Sequence, residues 1–171
     1  MFGMFGAYRK KATRAAIEHT RAFIAIVQQN YGLPSGFWFD PYVLGFLRFT
    51  IGHFAKLATG GKIAGSDLGY VVADVYTTLS NANGAEIARH AADLASKNDP
   101  DFGKGADHAA VNHFYVMRRV KNERNNPIVQ EATSLVDQTQ KPLSEDEQLS
   151  QIAAIMFMNT FMSEVRRRSD R

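Results

Sequence analysis

Phe37-Trp38-Phe39-Asp40-Pro41, followed by an apolar run from Tyr42 to Ala58, decides how this chain folds. Asp40 ahead of Pro41 is a helix start: the carboxylate accepts from first-turn N–H groups, and proline loses nothing at the first helical position. Thr59-Gly60-Gly61 is the matching stop, because glycine takes the left-handed conformation that a helix end favours. Between these signals the apolar residues do not keep to one stripe. Tyr42, Phe46 and Phe49 form one row, Val43, Leu47 and Phe54 another, and Leu44, Ile51 and Ala55 a third. Only a narrow polar line remains, Arg48 and Lys56, with Gly45 and Gly52 beside it.

A helix that is apolar nearly all round is buried in a core or spans a membrane. Arg48 near the middle of the run favours a core, since a charge at that depth in a bilayer costs roughly 2.5–3.5 kcal/mol. Burying each Phe or Leu in water contributes roughly 1.5–3 kcal/mol, enough to organise a fold. Gly45 and Gly52, seven residues apart, share a face and predict close approach by a neighbouring helix.

Working outward, 3.6-residue spacing predicts six further helices. Ala7 to Tyr31 places Ala12, Ala16, His19, Phe23, Ile26 and Val27 on one face. Ser66 is the expected N-cap of a helix from Asp67 to about Ser80, and Asn83 that of a helix to about Lys97. Asn98 to Gly105, with its prolines and glycines, reads as a loop before a helix from about Ala106 to Arg124. Asn126-Pro127 opens another helix, which Lys141-Pro142 closes. Ser144 and Glu147 form a capping box ahead of the last helix, to about Arg167. No strand pattern or internal repeat competes, so the expected fold is all-α: a single-domain bundle of six or seven helices around the helix at about 41–59, with residues 1–6 and 168–171 as flexible ends.

Composition narrows the function classes. The chain has 171 residues, 45% of them hydrophobic and 22% charged, which is ordinary for a globular protein. The absence of cysteine excludes disulfides, thiolate zinc sites and cysteine nucleophiles. Met1-Phe2-Gly3-Met4-Phe5-Gly6 precedes Arg9-Lys10-Lys11, the reverse of the order in a secretory signal, so a cytoplasmic location is expected. A net charge of +3 is only mildly basic.

No Ser-His-Asp or paired-carboxylate motif stands out, so no enzyme activity and no cofactor are assigned. Gly60, Gly61, Lys62 and Ser66 form a glycine-rich loop feeding a helix, a candidate anion site. Its spacing departs from the nucleotide phosphate loop at Lys56 and Ile63. Asp99, Asp101 and Asp107 fail as a calcium loop, because Lys104 and Ala110 stand where glycine and glutamate are needed. His19, His53 and His113 fall on apolar faces, where single core hydrogen bonds explain them better than metal ligation does.

Three binding readings follow. The last helix is apolar on every side and methionine-rich, and methionine adapts to irregular partners. Met156, Met158, Phe161 and Met162 are therefore a candidate interface for a second copy or another protein, a larger core being the alternative. Arg48 among Phe46, Phe49, Phe114 and Phe157 would suit a small apolar or lipid-like acidic ligand. Basic clusters at Arg9-Lys10-Lys11-Arg14, Arg118-Arg119-Lys121-Arg124 and Arg166-Arg167-Arg168-Arg171 would suit nucleic acid or an anionic membrane.

Overall fold

The computed structural model of the chain describes residues 2–116, 126–137 and 143–169. Among these, every regular element is helical and no strand occurs, so the fold is all-α as expected. The chain divides into two compact units, Met1–Ala106 and Asp107–Arg171.

The first unit holds α1 (Phe2–Tyr31), a 3-10 turn (Phe37–Phe39), α2 (Pro41–Ala58), α3 (Gly65–Ser80), α4 (Gly84–Ser96) and the start of α5 (Pro100–Val116). α2 is its centre. Asp40 Oδ1 accepts from the Val43 N–H at 3.1 Å, and the six residues from Tyr42 to Leu47 are all buried. α1, α3 and α4 pack around it. Val27 of α1, Val75 and Tyr76 of α3 and Ile87 of α4 are buried in the same unit. No described helix is long and apolar enough to cross a membrane.

Glycine sets the close approach along α2, but at one of the two expected positions. A Cβ on Gly45 would collide with the Phe102 carbonyl of α5, and a Cβ on Gly105 would collide with the Tyr42 carbonyl of α2. The two glycines thus let the α2 and α5 backbones touch. Gly52 meets only the Arg48 guanidinium, 3.3 Å from where its Cβ would lie.

Three helix starts differ from expectation. α1 begins at Phe2, five residues early. α5 begins at Pro100, inside the predicted loop, because Asp99 caps it: its Oδ1 accepts from the Phe102 N–H at 2.9 Å. α3 begins at Gly65 with Ala64 in the capping position and no side-chain cap, so Ser66 is not the N-cap.

The second unit holds the rest of α5, α6 (Pro127–Asp137), α7 (Glu145–Phe157), a π turn (Met158–Met162) and α8 (Ser163–Ser169). Val129, Ala132 and Val136 of α6 meet Ile152 and Met156 of α7 in its core. The expected capping box forms: the Ser144 hydroxyl accepts from the Glu147 N–H, and the Glu147 carboxylate accepts from the Ser144 N–H at 2.9 Å. Those hydrogen bonds hold the exposed Glu147 carboxyl below its ordinary value.

Candidate functional site

Charge is distributed unevenly along the chain. Residues 2–31, the span of α1, contain five cations, Arg9, Lys10, Lys11, Arg14 and Arg21, against one carboxylate, Glu18. The rest of the chain has fifteen Lys and Arg against sixteen Asp and Glu. α1 therefore carries a net charge of +4 and the rest of the chain sums to −1, its basic stretches at 118–124 and 166–171 being offset by carboxylates elsewhere.

Helical spacing brings most of that charge to one side. Arg9, Lys10, Thr13, Arg14, Ile17 and Arg21 recur every three or four residues and line an open cleft of about 540 Å³. At roughly 1.5 Å per residue, the stretch from Arg9 to Arg21 spans about 18 Å. Glu18 and, from α3, Asp74 complete the lining. Arg9 Nη2 donates to Asp74 Oδ2 at 2.8 Å, and the Arg9 guanidinium carbon lies 4.7 Å from the centre of the exposed Tyr70 ring. Arg14 Nε donates to Glu18 Oε1 at 3.0 Å. Lys10 and Arg21 are exposed and, among the described residues, have no ion pair or hydrogen bond. The Thr13 hydroxyl oxygen is screened from solvent and has no hydrogen-bond partner among the described residues.

The glycine loop contributes differently from expectation. The N–H groups of Gly60, Gly61 and Lys62 donate to the Leu57, Lys56 and Thr59 carbonyls at 3.2, 2.8 and 3.3 Å. They close the end of α2 and do not point at an anion. Gly60, Gly61 and Ser66 are exposed. Lys62, however, reaches the head of α1: its Nζ donates to the Tyr8 hydroxyl at 3.0 Å.

The ligand set anchored on Arg48 falls in both units. Phe46 is fully buried and meets the Phe23 edge, ring centres 6.0 Å apart, while Arg48 and Phe49 are half-buried. Phe114 and Phe157 belong to the second unit, Phe157 against Phe161 at 5.5 Å. The Arg48 charge acts on Tyr76, whose hydroxyl is buried without a hydrogen-bond partner among the described residues. Burial raises the Tyr76 phenol well above its ordinary value, and the nearby Arg48 charge partly offsets this.

The candidate interface is mostly core. Met156 and Phe161 are fully buried and Met162 nearly so, within the chain itself, whereas Met158 is 41% exposed. Met156 and Met158, two residues apart, lie on opposite sides of the helix, as a 3.6-residue period requires. Thr160 within the π turn accepts from Asn112 Nδ2 at 3.1 Å, a buried polar link to α5 that hydrophobic spacing could not disclose.

His19 and His53 do meet, but around a ring: His19 stacks on Phe54 at 3.9 Å and His53 meets the same ring edge-on at 5.3 Å. Of the other basic clusters, Arg118-Arg119-Lys121-Arg124 and Arg171 lie outside the described residues. In the C-terminal cluster, Arg167 and Arg168 share Glu164, at 2.6 and 3.5 Å. No family model matches the chain, and no curated protein or solved structure resembles it.

Proposed function

We propose that this is a non-enzymatic binding protein that attaches to an anionic membrane surface through the basic face of α1. The observation that carries the reading is the cleft on that face, lined by Arg9, Lys10, Arg14 and Arg21 of a helix whose net charge is +4. Each cation near an anionic leaflet contributes roughly 1 kcal/mol. Lys10 and Arg21, the two cleft cations without an ion pair among the described residues, would give about 2 kcal/mol together, weaker than millimolar binding. A further contribution is needed, and the sequence supplies one: Met1, Phe2, Met4 and Phe5 stand at the head of the same stretch. Cations and apolar residues within one stretch of sequence suit a lipid surface.

Vesicle co-sedimentation tests this. Binding to phosphatidylserine vesicles, absent on phosphatidylcholine, weakened by salt and lost in Lys10→Glu/Arg21→Glu, is the expected result. Equal binding to both vesicles would overturn it. A salt-sensitive shift on mixed DNA and RNA, without vesicle binding, would replace it with the nucleic-acid reading.

Another reading, self-association, is favoured by Met158 and by Leu135 of α6, both large and exposed in the second unit. Asn159 Nδ2 donates to Glu131 Oε1 at 3.3 Å and ties the π turn to α6.

A further inference from the structure

We infer that the α1 cleft is a site for a dianionic phosphate group, a phosphomonoester carried by a polyol such as inositol, free or as a lipid headgroup. The inference rests on the α1 reading above but on a different feature of the face: its concavity and its charge balance. Four cations and two carboxylates line the cleft, an excess of two positive charges. A carboxylate or phosphodiester would neutralise half of that excess. A phosphomonoester, with about −1.5 to −2 charge at pH 7, matches it.

The partners are graded. Lys10 and Arg21 have no competing carboxylate among the described residues. Arg14 is held by Glu18, but both side chains of that pair are more than half exposed, 82% and 59%, so the contact is weak and a phosphate can displace it. Arg9 is the most committed cation, held by Asp74 and by the Tyr70 ring. Thr13 lies among them in the cleft wall with a hydroxyl that has no partner among the described residues. A rotation about its Cα–Cβ bond would let it donate to a phosphate oxygen. The cleft volume of about 540 Å³ falls in the ordinary range for small-ligand sites, about 300–1,000 Å³, and admits a polyol headgroup.

The experiment compares vesicles bearing phosphatidylinositol 4,5-bisphosphate with phosphatidylserine vesicles of matched surface charge, with soluble inositol trisphosphate as competitor. A preference of tenfold or more for the bisphosphate vesicles, abolished by the competitor, is expected. The preference should shrink below about pH 6, where a phosphomonoester takes up its second proton. Thr13→Val and Lys10→Gln/Arg21→Gln should lose it while circular dichroism stays unchanged. Equal affinity at matched charge would overturn the inference and leave the membrane reading standing. Binding of soluble inositol trisphosphate without vesicle binding would support the phosphate site, make the free compound its source and remove the membrane reading. Binding of neither would overturn both.

Discussion

Arg9 of α1 and Asp74 of α3, both in the lining of the basic cleft, form an ion pair, Nη2 to Oδ2, at 2.8 Å. Each side chain is more than a third exposed, so solvent screens the pair and its contribution to stability is about 0–1 kcal/mol. Its larger effect is on charge, since Asp74 cancels one of the four cations that line the cleft. Asp74→Asn should therefore leave the melting temperature nearly unchanged while strengthening binding to anionic vesicles. One charge near the surface is worth roughly 1 kcal/mol, about fivefold in affinity. An unchanged or weaker affinity in sedimentation would mean that Arg9 serves packing alone.

The contact of α2 with α5 separates two glycines of α2 that are alike in sequence, Gly45 and Gly52. Gly45→Ala, like Gly105→Ala on the facing helix, pushes a methyl group into a carbonyl that neither backbone can vacate. Each should cost about 1–3 kcal/mol, as overpacking does. Gly52→Ala meets only the flexible end of Arg48 and gains helix propensity, worth up to about 1 kcal/mol. Urea denaturation of the three variants checks the order; a Gly52→Ala loss as large as that of Gly45→Ala would contradict it.

The same contact shows what sequence alone can disclose. Asp40-Pro41 and Asp99-Pro100 carry the same start signal, and both Asp side chains cap a helix. The Asp99-Pro100 signal reads as part of a loop because Gly103 and Gly105 follow it. Gly105 is there for the Tyr42 carbonyl, a tertiary reason that local spacing does not carry. The central helix is legible because nearly all its residues are apolar. The cleft is only partly legible: the stripe through Arg14 and Arg21 follows from helical spacing within α1, but Asp74 from α3 joins it only with the packing of α1 on α3. The methionine-rich helix misleads at Met156, Phe161 and Met162, because the composition of a partner surface and of a core is the same and only burial separates them.

Tyr76 carries a pH prediction. Its phenol is neutral in the folded protein, and burial holds its pKa above the ordinary value near 10. A raised folded value means that the stability from keeping the proton is fully present below the unfolded pKa and is lost as pH rises above about 10. The melting temperature should fall more steeply between pH 10 and 11 in the wild type than in Tyr76→Phe. At pH 7 the variant also removes a buried hydroxyl with no partner, a group that costs about 1–3 kcal/mol, so it should match or exceed the wild type in stability. A loss of more than about 1 kcal/mol would show that the hydroxyl is satisfied.

Met156 and Met158 lie two residues apart and should behave as opposites. Met156 is fully buried against α6, and Met156→Ala should cost about 2–5 kcal/mol. Met158 is exposed, so Met158→Glu should leave stability within about 0.5 kcal/mol. Any change it makes would then be in association. Analytical ultracentrifugation of wild type, Met158→Glu and Leu135→Glu reads this directly. If the wild type is an oligomer and both variants are folded monomers, the second unit contacts another copy through this pair. If the wild type is a monomer at tens of micromolar, self-association through Met158 is excluded, and α1 stands as the binding face.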